Sequence, residues 1–343
     1  MKDNSSISKK IIEMCDLLPE FCQSFLLETG TEMATTTRLA YSRELNWFFD
    51  FLIDNNRYFC DKNKRDLTVN DIKEITSQDI SRYLTRFNDL GRKERTVARK
   101  RAALSRFFGY LTNNKLIQFN PVNAAVKVKI HQSDEVTYLN LNEQINFINS
   151  IESGKDLGEN QQKFHDKYKL RDTALIILLL DTGMRVSELH GINNHDFDFN
   201  ACSVIITRKG GNIQTIFFSD DTRDLLEEYL AYKKVKFPDM TDDAPFFVTL
   251  KGDRLSIRAI EVLVKKYAVA ALPGKGNKIS PHKMRSSFAM EFYGETKDIL
   301  ALQRKLGHKN ITATNIYAKA TDKKMQETRN ILSNKRNKKN PLK

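Results

Sequence analysis

The chain has 343 residues, and its 56 lysine and arginine residues outnumber its 43 aspartate and glutamate residues, giving a formal charge of +13. This length exceeds one ordinary domain and suits two, each able to bury its own core. The excess positive charge favours a polyanionic partner, namely DNA, RNA or an anionic membrane surface. The longest apolar run, at 174–180, is far shorter than the roughly 20 residues that span a bilayer, and the polar N-terminus has no secretory signal. We therefore expect a soluble, unexported protein with no membrane partner.

The residues that usually hold metals or nucleotides do not cluster in this sequence. The four cysteines are scattered, without C-x-x-C spacing or a histidine at ligand spacing; they are Cys15, Cys22, Cys60 and Cys202. Reduced, buried thiols are the expected state. There is also no carboxylate cluster suited to Mg²⁺ and no glycine-rich loop ending in Gly-Lys-Ser/Thr. The sequence predicts chemistry without a metal or any other cofactor.

Residues 1–126 have the pattern of a helical domain. A first amphipathic helix is predicted to end near Pro19, and one of the threonines at 35–37 is suited to cap a long second helix. Thr76, with Asp79 three residues later, resembles a capping box for a further helix that Gly91 closes.

A strongly basic helix is predicted to follow Gly91. Val97, Leu104 and Phe108 can share one apolar face, which leaves a cationic face opposite. The residues expected to bind DNA are Arg92, Lys93, Arg95, Arg99, Lys100 and Arg106. A solvated charged face is the ordinary alternative. Because the run contains almost no acidic residues, a phosphate backbone is the better counterion, and such contacts position a protein without reading sequence.

The second half of the chain is predicted to form a separate domain. Asn120-Pro121 ends the helical pattern, and the basic, aperiodic residues 127–135 are interpreted as a linker. A domain at 136–334 and a basic tail at 335–343 complete the predicted organisation. Asn140 and Glu143 form a capping-box signal for the first helix of this domain, and the polar stretch 153–169 is expected to be a loop or a loose insertion.

Later elements follow from periodicity and turn residues. A buried helix at 170–180 is stopped by Thr182-Gly183, and a second helix begins near Arg185. Two strand-like runs joined by a glycine pair predict a hairpin with Lys209 at its tip. Tyr317 is placed on a short helix. Further helices are expected at about 220–236, 256–271, 281–293, 297–306 and 321–333. The fold class is therefore mainly α with a small β-hairpin or sheet.

Several of these elements carry side chains that suit attack on a phosphodiester. Displacement of an ester oxygen builds negative charge at phosphorus, so the site must offer fixed positive donors. Arg185 and Arg285 are the candidates, because a guanidinium binds two oxygens and keeps its charge. Glu188, one helical turn from Arg185, is placed to orient it.

A tyrosine can act as the covalent nucleophile, and Tyr317 is the candidate. Only about one phenol in a thousand is ionised at pH 7, so a base is needed, and either His282 or His308 can serve. Lys209 is suited to protonate the leaving 5′-hydroxyl. Each residue alone has a commoner structural explanation, but their order and predicted contexts favour phosphoryl transfer.

These residues resemble the tyrosine recombinase, or phage-integrase, family. The matching stretches are Thr-Gly-Met-Arg-Val-Ser-Glu-Leu at 182–189, the Lys209 hairpin, His282-x-x-Arg285, Leu306-Gly307-His308 and Tyr317. Within the family the chain is most similar to the Xer branch, in particular its single-recombinase XerS type. That finer likeness depends on residues 169–172, 208–211 and 243–247.

The resemblance implies a two-domain clamp on double-stranded DNA, with a helical, SAM-like core-binding domain and an α+β catalytic domain. It also implies a homotetramer on two DNA sites, a 3′-phosphotyrosine intermediate and a Holliday junction, in the cytoplasm of a bacterium. Tyr317 would be the nucleophile, Arg185 and Arg285 the phosphate clamp and Lys209 the general acid. The two histidines would assist the reaction, and Glu188 would be a supporting residue. Ser286-Ser287 departs from the family pattern and is expected to affect packing alone, and the helix at 321–333 would insert into a neighbouring protomer.

The biological role remains open at the level of sequence. Xer-type resolution of chromosome dimers at a dif-like site, with a DNA translocase or another accessory protein as partner, is favoured by the short segment before Thr35. Integration or excision of a mobile element is the first alternative. A type IB topoisomerase and a non-catalytic architectural DNA-binding protein are the others. Which histidine accepts the phenolic proton is also open.

Overall fold

The computed structural model describes residues 4–127, 136–208, 210–308 and 310–321. The chain divides into two compact units, Met1–Gln132 and Ser133–Lys343. This division falls inside the predicted linker at 127–135, of which 128–135 lie outside the described residues. Among the helices described, none combines the length and apolar character needed to cross a bilayer.

The first unit is built from helices around an aromatic core. These helices are α1 (Asn4–Cys15), α2 (Glu20–Glu28), α3 (Thr35–Asn55), α4 (Val69–Lys73), α5 (Ser77–Asp89) and α6 (Glu94–Asn113). Phe25 of α2 and Phe107 of α6 are fully buried and meet edge to face, with ring centroids 5.4 Å apart. Phe48 of α3 packs in the same way against Tyr83 of α5. Burial of each such ring stabilises the unit by about 1.5–3 kcal/mol.

Two helix starts in this unit test the sequence predictions. The capping box of α5 is confirmed, because the Thr76 N–H donates to Asp79 Oδ2 at 2.9 Å and the Asp79 N–H donates to Thr76 Oγ1 at 3.3 Å. The threonine cap of α3 is wrong: Thr35 is already helical and Ala34, which has no side-chain acceptor, is the N-cap. The short helix α4 was not predicted, since its few residues show no periodicity.

The second unit combines helices with a small antiparallel sheet. Its helices are α7 (Leu141–Ser153), α8 (Glu159–Gln162), α9 (His165–Thr182), α10 (Val186–Gly191), α11 (Asp220–Lys236), α12 (Ile257–Ala271), α13 (Pro281–Thr296) and α14 (Ile299–Leu306). Residues 312–321 are also helical. The strands β1 (Phe197–Asp198), β2 (Ser203–Thr207) and β3 (Ile213–Phe217) pair in the order β1-β2-β3. The mainly α fold with a small sheet is confirmed; the predicted helix at 321–333 and the tail lie outside the described residues beyond 321.

The hairpin is closed as its glycines predict. The Arg208 N–H donates to Asn212 O at 2.7 Å, and Gly210 and Gly211 have φ of +97° and +84°. These are backbone conformations that residues with a Cβ rarely adopt. Lys209 itself lies outside the described residues.

Helix α9 is the central element of the second unit and contacts α7, α11 and α13. Its start corrects one prediction: 153–169 is not all loop, because α9 begins at His165. That side chain is buried, with Nε2 hydrogen-bonded to Ile151 O at 2.6 Å. At its other end Gly183 has φ +61°, and a Cβ there would lie 2.3 Å from the ring of Phe288. Only glycine therefore fits the turn that leads into α10.

Three smaller predictions concern a helix cap, local packing and the cysteines. Asn140 caps α7 in a capping box with Glu143, as expected. The Ser287 hydroxyl accepts a hydrogen bond from the Leu139 N–H at 2.7 Å, in agreement with a packing role for the departure at 286–287. The four cysteines are free thiols, but the expectation that they are buried is wrong for Cys60, which is exposed, and holds fully for Cys22 alone.

Candidate active site

The turn at Gly183 places Arg185 at the start of α10, beside a buried carboxylate. The Arg185 backbone N–H donates to Glu188 Oε2 at 2.7 Å, and its Nη1 donates to Glu188 Oε1 at 2.7 Å. The Glu188 side chain is 2% exposed, whereas that of Arg185 is 34% exposed. Glu188 thus orients the guanidinium and leaves part of it accessible to an anion from outside.

Arg285, on the first turns of α13, is almost completely buried. Its Nη1 donates to Gly183 O at 2.6 Å and its Nη2 donates to Leu306 O, so it ties the end of α9 to the end of α14. Burial, followed by the charge of Arg185, lowers the pKa of Arg285 to about 10. The group is therefore still cationic at neutral pH.

A third guanidinium, Arg208 at the end of β2, completes this cluster. It is buried and donates to Leu306 O and Lys305 O, each at 2.7 Å, and to Glu188 Oε1 at 3.4 Å. No sequence pattern predicted a role for Arg208. The only available signal was its position directly before the hairpin lysine. Two guanidinium groups thus donate to one carboxylate, and the third, Arg285, lies within its electrostatic influence; the resulting excess of positive charge suits an anion.

His308 follows directly after α14. Helix α14 ends at Gly307, whose φ is +58°, and the His308 Nδ1 shares a hydrogen bond of 3.0 Å with the hydroxyl of the buried Thr314. Burial, followed by the charges of Arg285, Arg185 and Arg208, lowers the pKa of His308 to about 4. The imidazole is therefore neutral at physiological pH.

His282 lies in the first turn of α13, after Ser280 and Pro281. Although the side chain reaches solvent, the protein around it displaces enough water to lower its pKa, and the charges of Lys283, Arg285 and Arg185 add to this effect. Both histidines thus lie within the electrostatic influence of the same arginines.

Tyr317 lies on the helical segment 312–321 and is 2% exposed. It packs in a small apolar cluster with Phe288, Leu302 and Leu306. Its phenol is near enough to Arg285 for its negative form to raise the pKa of that arginine. The structure therefore brings five of the predicted site residues and Glu188 into one region; they are Arg185, His282, Arg285, His308 and Tyr317.

One residue of the predicted DNA-binding face of α6, Lys100, does not lie on the exposed face. Arg92, Lys93, Arg95 and Arg99 are exposed, as expected. Lys100 is buried, and its Nζ donates to Glu44 Oε2 at 2.8 Å. The prediction for Lys100 is wrong because it lies three residues after Val97 and four before Leu104, on the packed face.

Arg106 is exposed but paired. Its Nη2 donates to Glu32 Oε2 at 2.9 Å, and its side chain is 45% exposed. The acidic partners of Lys100 and Arg106 are distant in sequence: Glu44 lies on α3 and Glu32 in the turn before it. The local scarcity of acidic residues therefore did not exclude ion pairs.

No group of three or more histidine, cysteine, aspartate or glutamate side chains is arranged to hold a metal ion within the described ranges. The titratable groups that interact with Arg285 are instead arginines, histidines, a tyrosine and the single carboxylate of Glu188.

Comparison with known proteins assigns both units. A model described as the phage integrase family matches residues 154–324, and one described as the phage integrase N-terminal SAM-like domain matches residues 23–115. A tyrosine recombinase XerC of Caldanaerobacter subterraneus is 30% identical over 98% of this chain and 92% of its own. A tyrosine recombinase XerS of Lactococcus lactis is 27% identical over 90% of this chain and 95% of its own.

Solved structures share the fold at lower identity. The XerH recombinase bound to its difH substrate has a TM-score of 0.63 at 22% identity, covering 87% of this chain and 90% of its own. The Tn1549 transposon integrase in complex with a circular intermediate DNA has a TM-score of 0.63 at 20% identity, covering 90% and 98%. With both units matched and a relative aligned along nearly the whole length, the chain belongs to the tyrosine recombinases of the phage integrase family, enzymes that cleave and rejoin DNA.

Proposed function

We propose that this protein is a site-specific recombinase that attacks double-stranded DNA with Tyr317, forms a 3′-phosphotyrosine link, and exchanges strands between two sites through a Holliday junction as a homotetramer. The observation that carries the proposal is the convergence of Arg185, Arg208 and Arg285 around the buried Glu188. A carboxylate that neutralises one of three charges leaves a fixed cationic site suited to a phosphodiester.

In this proposal Arg185 and Arg285 bind the non-bridging oxygens of the scissile phosphate. Arg285 uses two N–H groups on Gly183 O and Leu306 O, and a guanidinium has five N–H donors. Its remaining donors are therefore held in a fixed direction before substrate arrives. Donors fixed in advance stabilise the charge that develops at phosphorus without reorganisation, and each is worth about 3–4 kcal/mol.

Neutral histidines are suited to the proton transfers. His308, neutral at working pH because its pKa is about 4, offers a hydrogen bond to phosphate or takes the phenolic proton. His282 is the second candidate for these roles, and Lys209 is proposed to protonate the leaving 5′-oxygen. The exposed basic residues just before α6 (Arg92 and Lys93) and on it (Arg95, Arg99 and Arg106) are proposed to bind the phosphate backbone.

The first experiment traps the covalent intermediate. A duplex is selected from a random-sequence library by binding to this protein, and nicked so that the cleaved strand end diffuses away. We expect wild-type protein to form an adduct on Tyr317 with no added metal or nucleotide, and Tyr317→Phe to bind the same duplex within a few-fold but form none. An adduct that persists in Tyr317→Phe would refute the nucleophile assignment.

A second substrate tests Lys209. In a duplex whose scissile 5′-oxygen is replaced by sulfur, the leaving thiolate needs no proton because a thiol is far more acidic than an alcohol. Lys209→Ala should cleave the oxygen duplex slowly and the sulfur duplex at nearly the wild-type rate. Equal defects on both duplexes would contradict the role of general acid.

We propose resolution of chromosome dimers at a dif-like site as the biological role, with a DNA translocase or other accessory protein in control. The XerC and XerS relatives align over most of their length, which supports this role. Integration of a mobile element is the second candidate, because the likeness to the Tn1549 integrase has the same TM-score as that to XerH.

A plasmid assay separates these roles. Resolution between two directly repeated copies of one selected site supports the Xer role. Recombination that requires two unlike sites supports an integrase, and relaxation of a plasmid lacking any site indicates a topoisomerase.

A further inference from the structure

We propose that Arg208 is a positioning residue for DNA cleavage, which fixes the C-terminal end of α14 and thereby the Gly307-His308 segment against Arg285. The inference rests on the proposed function, since it concerns the same cleavage reaction. It assigns a role to a residue outside the set that the sequence motifs identify.

The end of α14 explains why an arginine is suited to this position. The last carbonyl groups of a helix have no partner within it and carry partial negative charge. Here Arg208 Nη2 donates to Lys305 O at 2.7 Å and Arg208 Nη1 donates to Leu306 O at 2.7 Å. A side chain from the sheet therefore caps a helix that begins some ninety residues later.

Leu306 O is also the acceptor for Arg285 Nη2. One carbonyl thus joins Arg208 to the arginine that is proposed to bind phosphate. A shift of the α14 terminus would remove a hydrogen bond from both guanidinium groups. The position of Arg285 depends on Arg208 through this shared oxygen.

Packing also connects Arg208 with the Gly307-His308 segment. The guanidinium of Arg208 lies against Gly307 so closely that a Cβ on Gly307 would be 2.5 Å from Arg208 Cζ. The next residue is His308, whose carbonyl accepts from Gln303 Nε2 at 3.0 Å. Arg208 therefore fixes the position of the backbone where the chain leaves α14 and continues into the site.

The contacts of Arg208 distinguish positioning from direct binding. Its Nε donates to Gln214 of β3, and both terminal nitrogens donate to protein carbonyls or to Glu188. Whereas Arg285 commits two of its five N–H donors to the protein, Arg208 thus commits four. Its donors are used on the protein, so its effect on the reaction passes through α14.

The test compares two substitutions with a matched control. Arg208→Met removes the positive charge and the planar guanidinium, whereas Arg208→Lys keeps the charge. The control, Arg254→Met, removes another arginine of the same unit, which donates to His190 O and Ile192 O away from α14. The probe is the nicked duplex selected from a random library. We expect both Arg208 variants to lose about 10²-fold in single-turnover adduct formation at saturating protein, as misplacement by about 1 Å does. Binding should change less than three-fold, and Arg254→Met should cleave normally.

The pH profile of the cleavage rate is a second measurement, and a purely structural role of Arg208 would not change it. The groups whose charges act on His308 are Arg185 at the N-cap of α10, Arg208 directly after β2, and His282 and Arg285 of α13, while Glu188 and Tyr317 act on Arg285. Removing one of these cations makes protonation of His308 easier, so Arg208→Met should move the acid limb of the cleavage rate to higher pH. Arg208→Lys should leave that limb in place while still losing rate.

Gly307→Ala approaches the same contact from the other side and keeps the proposal testable if Arg208→Met folds poorly. It should reproduce the rate loss, and the double variant should lose little more, because both changes displace one contact. Wild-type adduct formation together with normal cleavage by Arg208→Lys, or equal losses in Arg208→Met and Arg254→Met, would overturn the positioning role alone. Absence of an adduct on wild-type Tyr317 would overturn both this role and the proposed function.

Discussion

The ion pair inside the first unit gives a prediction about stability and DNA binding together. Lys100 Nζ donates to Glu44 Oε2 at 2.8 Å and lies 4.3 Å from the centre of the Trp47 ring. The Lys100→Met variant keeps most of the side-chain volume but leaves the Glu44 carboxylate buried without its cation. Loss of one partner of a buried pair costs about 3–5 kcal/mol. We expect the lower end, about 3 kcal/mol, because the Tyr83 hydroxyl still donates to Glu44 Oε1 at 2.6 Å.

The chain supplies its own probe for this measurement. Trp47 is its single tryptophan, so fluorescence during urea unfolding reports on the first unit. With a slope of about 2 kcal/mol per molar urea, the midpoint of Lys100→Met should fall by about 1.5 M. The double variant Glu44→Leu/Lys100→Met should recover part of the loss, since no uncompensated charge is left.

The matched control for DNA binding is Arg99→Met, one residue away on the exposed face. Arg99→Met should keep the unfolding midpoint and reduce the slope of log affinity against log salt by about one. Lys100→Met should instead lower the unfolding midpoint and leave the salt slope unchanged. A lower salt slope in Lys100→Met with an unchanged urea midpoint would refute the assignment of Lys100 to the core.

Two further predictions concern the second unit. Gly183→Ala should lower the unfolding free energy of this unit by at least about 2 kcal/mol, because the new Cβ would lie 2.3 Å from Phe288 in a left-handed backbone conformation. Calorimetry measures the difference from the control Gly158→Ala, where the added Cβ has open space. Equal effects of the two substitutions would contradict the steric argument. Stability should also fall as the pH drops from about 6.5 toward 4, because the pKa of His308 is about 4 in the folded chain and the unfolded chain binds the proton more readily. Thermal unfolding across this range should show a smaller pH dependence in His308→Gln than in the wild type, and identical curves would argue against the depressed pKa.

Local signals in the sequence were enough to predict most helices of the fold. The box formed by Thr76 and Asp79 depends on neighbours three residues apart, so it can be read from the sequence. The same holds for Gly183, which ends α9 as expected. The spacing of Lys100 from Val97 and Leu104 already places it on the packed face, but its partner Glu44 lies more than fifty residues earlier and no local pattern connects the two.

The candidate site divides in the same way. Residues with a characteristic spacing, such as His282 and Arg285 on one helix, were identified from the pattern. The partners of Arg208 are Glu188, Lys305 and Leu306, which no local pattern connects. The start of α9 was missed for a similar reason, since the His165 side chain is buried and hydrogen-bonded to Ile151 of α7.

The shared acceptor at Leu306 also affects when the protein can cut DNA. Its oxygen is reached by donors from β2 and from α13, while one of those donors also holds the end of α9. Segments from 183 to 306 must therefore be docked before the two guanidinium groups take up their positions. A partly synthesised or partly unfolded chain has the same residues but not the arrangement, so the ability to cleave DNA is acquired only with the completed fold.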